Sequence, residues 1–300
     1  MGCPRAIPDG GRRGVTRLAS DGLPARVSGP WTQVKLAYVQ KYASAFMVAM
    51  APKRKQGKWD SLVYLDLLAG PGRGIDAKTR SEFDGSPLRA LKIHPTLDRL
   101  YFADLDPKNI EALRRRIPEE DLKRVDLRVG DCNALAKQIV ARLSRRTLGL
   151  AFVDPEGFEA RFEMLKALAA GRIDILLLFP SGIGIGRNLR LFAKQQKSPM
   201  DGLWGGRDWR DLPPAKLAAG AKLSPEEQLA MDRPWVLRFR SKMFDIGFKY
   251  QDEADPCFRN EKNVPMYHLL FFSRDPTGLT IWRGIKKIEP SGQRILPFTS

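Results

Sequence analysis

The sequence predicts an α/β fold built on a mostly parallel sheet, and three observations predict it. Short apolar runs alternate with helical stretches from about residue 60 onward, which is the pattern of buried parallel strands under covering helices. Four of these runs, LVYLDLL (62–68), RLYFADL (99–105), VDLRVGD (125–131) and LGLAFVD (148–154), carry an aspartate at or near the C-terminal end, and a fifth, IDILLLF (173–179), does not. Late in the chain FKYQDEADPCF (248–258) and MYHLLFFS (266–273) flank the polar turn RNEKNV, which predicts a terminal antiparallel hairpin at the sheet edge.

Composition sets the bounds. The 300 residues are 43% hydrophobic and 28% charged, as in globular chains. No apolar run approaches the roughly 18–20 residues of a membrane span. Lys and Arg number 51 against 34 Asp and Glu, a net charge of +17. Such an excess favours a polyanionic partner, since neutralising phosphates releases their counterions, and RNA or DNA is the expected one. Cys3, Cys132 and Cys257 form no CxxC pair, and only His94 and His268 accompany them, so no metal site is expected. Three separated thiols without a secretion signal suit a reducing, cytoplasmic setting.

In chain order, residues 1–30 are rich in Gly, Pro and Arg and predict a flexible basic tail. The main domain then runs from 31 to 300. Trp31, Val34, Tyr38, Tyr42, Ala45, Phe46 and Ala49 recur at helical spacing, an amphipathic helix stopped by Pro52. Lys53, Arg54, Lys55 and Lys58 follow, either gripping phosphates or favoured by the helix dipole. Between the first two strands, Ser86-Pro87 reads as an N-cap with proline at the first helical position. Asp106, just before Pro107, also reads as a cap. An insertion spans about 181–233, with a short helix opened by SPEE (224–227), and a further helix covers 235–245.

In an open α/β sheet ligands bind at the C-terminal strand edge, so Asp66, Asp104, Asp131 and Asp154 are expected to converge on one crevice. Gly70, Gly72 and Gly74 follow the first strand directly, where a missing Cβ lets a ligand approach the backbone. A pyrophosphate needs a helix opening within the glycine motif, but the next helix starts about ten residues later, and Asp66 would repel phosphates. S-adenosylmethionine, with a sulfonium, an amine and no phosphate, fits better. Asp66 and the backbones of Gly70 and Gly72 are assigned to its methionine part, Asp104 to its ribose and Asp131 to its adenine amine, with Cys132 as a pocket neighbour. Asp104 lies 30 residues past Gly74, further than in dinucleotide folds, and an inserted loop (75–85) accounts for most of the excess. Asp106 is a rival for the ribose.

With these motifs the chain resembles the three-Cys-motif partner proteins, relatives of the class I methyltransferases. The likeness spans about residues 31–288 and rests on W-x3-KL-x4-KY (31–42), DLLAGPGRG (66–74), GSPLRAL (85–91), the acid of FADLDP, GDCN (130–133), FVDPEGFE (152–159), DILLLFPSGI (174–183) with RNL (187–189), and YHLLFFSRDPTGLTIW (267–282). The resemblance implies a Rossmann-like methyltransferase fold and association with a three-cysteine protein. Asp275 departs from the family, where histidine is expected.

Methyl transfer mainly requires positioning of the nucleophile and a place for its proton. Asp154 in DPEGFE is the expected catalytic acceptor, with Glu156 second. The segment is similar to the D-P-P-Y motif of amino-methyltransferases, in which an acid holds an exocyclic amine, with Phe158 for the closing aromatic. DPEG can equally be a strand-ending turn that shapes the pocket. Cysteine-dependent transfer would need Cys257, which lies in the late hairpin and not after the fourth strand. The function expected is a nucleic-acid methyltransferase. The alternatives are a non-catalytic adaptor of the same fold, and a nuclease using the acids to hold magnesium.

Overall fold

The computed structural model describes residues 15–222, 234–259 and 265–287. Two strands, β1 (Thr16–Leu18) and β2 (Pro24–Ser28), precede the long helix α1 (Trp31–Lys55). Strand β3 (Ser61–Asp66) leads through the glycine loop to β4 (Arg73–Asp76), β5 (Glu82–Asp84) and helix α2 (Ser86–Leu91). Next come β6 (Arg99–Asp104), α3 (Pro107–Arg116), the single turn α4 (Glu119–Leu122), β7 (Val125–Val129), α5 (Cys132–Val140), β8 (Thr147–Val153), α6 (Phe162–Ala169) and β9 (Arg172–Phe179). Helices α7 (Ile183–Lys194), α8 (Pro199–Trp204), α9 (Pro213–Ala218) and α10 (Pro234–Asp245) follow, then β10 (Tyr250–Gln251), β11 (Cys257–Arg259), β12 (Pro265–Ser273) and α11 (Pro276–Lys286).

The main sheet has the order β10-β12-β9-β8-β3-β6-β7. Strands β7, β6, β3, β8 and β9 are parallel, and β12 runs antiparallel to both β9 and β10. This is the expected Rossmann-like methyltransferase fold. Strand order reverses at β3, so the ligand crevice of an open α/β sheet belongs at its C-terminal end. Side chains alternate across the sheet. Leu62, Tyr64, Phe102, Phe152 and Leu176 pack with α1, α2 and α11, while Val63, Leu65, Ala151, Val153 and Ile175 pack with α5, α6 and α10. Both faces are thus covered, and the strands read as unbroken apolar runs for that reason.

Several expectations are corrected. Residues 16–28, expected within a flexible tail, pair as β1 and β2, and β2 joins β4 and β5 in a second sheet of order β1-β2-β4-β5. The loop expected at 75–85 is largely the β4–β5 hairpin of that sheet. Its strands are short and far apart in sequence, so no local period reveals them. Helix α1 passes through Pro52 to Lys55, because a proline in the last turn forfeits one amide bond and leaves the rest of the ladder intact. The terminal antiparallel pairing is present as expected, β12 running antiparallel to both β10 and β11, and β12 enters the sheet between β9 and β10. The insertion is helical through α9, whereas the SPEE helix and residues 260–264 of the turn fall outside the described residues. Helix α11, not expected from the apolar pattern, is capped by Asp275, which accepts from the Thr277 amide at 2.8 Å. Among the described residues no helix is long and apolar enough to cross a membrane.

Candidate active site

Register places the aspartates on one rim. Asp66 is aligned with Phe102 on β6 and Phe152 on β8, so Asp104 and Asp154 lie two residues beyond it on the flanking strands. Asp66 itself is wholly buried at the foot of the glycine loop. Its Oδ2 accepts from the Ser86 hydroxyl at 2.5 Å. Burial pushes its carboxyl up to about 7; the Ser86 bond opposes the rise, and the charges of Asp154 and Asp104 add to it. Ser86 is therefore not the N-cap: Gly85 takes that position, and Pro87 is second in the helix.

The loop turns on Gly70 (φ 60°) and Gly72 (φ 80°), both in the left-handed region that favours glycine. Asp104 holds it there. Its Oδ2 accepts from the Gly70 amide at 2.9 Å, while Oδ1 accepts from the Asp106 amide at 2.9 Å and the Asn109 amide group at 3.0 Å. A carboxylate has about four acceptor positions, so one remains for a ligand hydroxyl. Asp106 caps α3 through the Lys108 amide at 2.9 Å, as expected. Asp131 caps α5, accepting from the Asn133 and Ala134 amides at 3.0 Å each. Cys132, expected as a pocket neighbour, is instead packed in the core beneath α5, where burial pushes its thiol up to about 12. A group so protonated is no nucleophile at neutral pH.

A cavity of about 230 Å³ opens between the glycine loop, the second sheet and the start of α1. Gly70, Gly72, Ser86, Asp154, Pro155 and Glu156 line it, with Arg26, Trp31, Thr32, Lys35, Arg73, Phe83 and Tyr267. Of the expected site residues, Gly70, Gly72, Asp154 and Glu156 are brought together there, whereas Asp66, Asp104, Asp131 and Cys132 are not part of its lining. Two aromatic rings of the lining occupy the space that a side chain at a neighbouring glycine would need. A Cβ at Gly29 would fall 2.0 Å from the Trp31 ring, and one at Gly74 would fall 2.3 Å from the Phe83 ring.

Both acids of the DPEG segment are already paired. Lys35 Nζ lies 2.5 Å from Asp154 Oδ2, with only 7% of the lysine side chain exposed, and Arg26 Nε lies 2.9 Å from Glu156 Oε1. Neither Arg26 nor Lys35, the first lysine of the motif at 31–42, is among the site residues expected from the sequence. The signal for Lys35 was present: it stands four residues after Trp31 and one turn before Val39, on the stripe that packs against the sheet, whereas the expected stripe residue Val34 is exposed. A lysine on a buried helical face needs a partner. Among the described residues, no cluster of three or more His, Cys, Asp or Glu side chains could hold a metal ion.

No family model matches the chain, and no curated protein matches it. Solved structures do. A Legionella pneumophila protein of the DUF519 family is 15% identical, with 86% of this chain and 94% of that one covered, at a TM-score of 0.46. The N-terminal domain of EvdMO1, solved with SAH bound, is 14% identical over 78% of this chain and 80% of that one, at 0.42. M. jannaschii TYW2, in complex with AdoMet, is 12% identical over 75% and 76%, at 0.37. At these identities the likeness is one of fold alone.

Proposed function

We propose that the chain is an S-adenosylmethionine-dependent methyltransferase that acts on nucleic acid and works with a three-Cys-motif partner protein. One observation carries the reading: a single cavity joins the glycine loop after β3 to Asp154 and Glu156 after β8. A cofactor loop and an acceptor acid thus share one space at the switch point of the sheet.

The residues fit the cofactor. At 230 Å³ the cavity is below the roughly 300 Å³ at which small-molecule sites begin, so it takes the amino-acid end. That end is zwitterionic, and the lining is mixed: Arg26 and Arg73 suit the carboxylate, and Glu156 the cationic groups. The adenosine half lies along the open rim beside Asp104. There Leu105, 72% exposed, and Val129, 52% exposed, offer apolar surface to a base, with Asp131 next to Val129 in the chain's following turn. The cofactor supplies a methyl group already activated by the sulfonium. The chain's own part is to orient the acceptor and take its proton at Asp154. The net charge of +17 supports a polyanionic substrate, and the half-buried rings of Trp31, Phe83 and Tyr267 suit a base drawn out of its stack.

Calorimetric titration with S-adenosylmethionine tests the cofactor. The wild type binds, Asp104→Ala binds at least about tenfold more weakly through loss of both the loop tether and the ribose acceptor, and Leu105→Asp is weakened similarly. Absence of binding by the wild type rejects the reading and leaves the second one, a non-catalytic adaptor. The observation that favours the adaptor is the Lys35 ammonium seated on Asp154.

A further inference from the structure

We infer that Lys35 is a built-in occupant of the acceptor position, and that the group which replaces it is the exocyclic amine of a nucleobase. The inference rests on the methyltransferase reading and narrows its substrate. It starts from the position of the lysine. Its Nζ donates to Asp154 Oδ2 at 2.5 Å and lies 6.0 Å from the centre of the Phe152 ring, inside the cavity that also holds the glycine loop.

In the free protein the pair has a plain purpose. A partly buried carboxylate without a partner is costly, and the lysine offsets that cost. What displaces it must return an N–H donor to Asp154, and an exocyclic amine does so. The released ammonium is not left alone either, because a nucleic acid brings phosphates to which it can turn. Trp31 stands one helical turn before Lys35 on α1, and both line the cavity with Phe83 and Tyr267. Flat rings beside an amine-holding acid describe a nucleobase, whose faces stack on aromatic side chains while its edge is hydrogen-bonded. In transfer, the amine nitrogen forms the new N–C bond as the S–C bond breaks. The bonding pair goes to sulfur, and the nitrogen's proton leaves to Asp154.

An internal occupant lowers apparent affinity by the fraction of sites it leaves open. Removing Lys35 should therefore tighten binding of a base-bearing strand, although it deletes a positive charge. Simple charge attraction predicts the opposite sign. The probes are a fluorescein-labelled single-stranded oligonucleotide containing adenine and cytosine and an abasic strand of equal length, read by anisotropy without cofactor. Lys35→Ala and Lys35→Met should each bind the base-bearing strand about tenfold more tightly than the wild type and the abasic strand no more tightly. The gain should vanish when Asp154→Asn is added. Thermal unfolding of each variant shows whether α1 remains docked, and a variant that has lost its cooperative transition is replaced by Lys35→Gln.

Equal or weaker binding of both strands by folded variants overturns the inference. A second readout is the product: labelled methyl groups transferred to RNA or DNA should appear on adenine N6 or cytosine N4. Label on a ring carbon, on a ribose oxygen or on protein overturns it, as does cofactor binding with no transfer to any of these. If calorimetry shows that the wild type does not bind S-adenosylmethionine, it is the methyltransferase reading that fails.

Discussion

Ser86 donates its hydroxyl to Asp66 at 2.5 Å and so joins the start of α2 to the end of β3 beneath the glycine loop. The carboxyl it meets is buried and titrates near 7 in place of 3.8. The folded state therefore keeps a proton on Asp66 that the unfolded chain releases near pH 4. This favours folding fully at low pH, and the benefit is lost as pH rises from about 4 to 7. Asp66→Asn cannot ionise, so its stability relative to the wild type should rise between pH 5 and pH 8 in urea unfolding. An unchanged difference at the two pH values would show that Asp66 stays ionised throughout.

The two left-handed glycines of the loop should answer differently to alanine. At Gly70 (φ 60°) the nearest atom to an added Cβ is Arg26 Cζ at 3.6 Å, an ordinary contact, so only the backbone cost of about 1 kcal/mol applies. At Gly72 (φ 80°) the Cβ would fall 2.6 Å from Leu113 Cδ1 and 3.4 Å from Leu88 Cγ. Overpacking adds to the strain there, and about 3 kcal/mol is expected in denaturant unfolding. Equal losses for Gly70→Ala and Gly72→Ala would contradict this account of the loop.

The strands were legible because β3, β6, β8 and β9 are covered on both faces and must be apolar throughout; the rim aspartates were legible because they end those runs. What each aspartate does was not. A carboxylate after a strand looks the same in sequence whether it caps a helix, as Asp131 does, tethers a loop, as Asp104 does, or meets a buried lysine, as Asp154 does. The second sheet was hidden because its strands are short, partly exposed, and joined across almost fifty residues from Arg26 to Gly74. Lys35 was hidden by the very period that located α1, since a search for apolar repeats passes over a charge on the buried stripe.

Arg116 fastens the second sheet to the glycine loop. Only 3% of its side chain is exposed. The guanidinium donates to Asp21 at 2.8 Å from both Nε and one terminal nitrogen, and to the carbonyls of Pro24 and Pro71 at 2.7 Å each. It also holds the Asp21 carboxyl well below the usual carboxylate range. Arg116→Ala leaves those acceptors unmatched, and a loss of about 3 kcal/mol is expected. Hydrogen exchange should speed up in β1 and β2 ahead of β3. Arg116→Lys should recover little, because an ammonium cannot reproduce a planar fork spanning the carboxylate and two carbonyls. Uniform acceleration across the main sheet would mean that the clamp serves global stability and not the attachment of this sheet.

A second buried acid fixes α1 to the far side of the sheet. Tyr42 donates its hydroxyl to Asp174 Oδ2 at 2.6 Å, and its ring packs against Phe46, Phe271 and Trp282. Tyr42→Phe keeps those ring contacts and removes the donor alone. A buried acceptor stripped of a partner costs about 1–3 kcal/mol. Burial already pushes Asp174 up to about 6, and the bonds from Ser273 and Tyr42 hold it down. Without the tyrosine the carboxyl should rise further, so ionising it in the folded state becomes harder. Since a raised carboxyl weakens folding as pH climbs through its titration, the deficit of Tyr42→Phe should be larger at pH 8 than at pH 5. Because α1 also carries Lys35, the same substitution should loosen the Lys35–Asp154 pair, and its strand binding should move toward that of Lys35→Ala. A stability loss with unchanged strand binding would show that the two ends of α1 act independently.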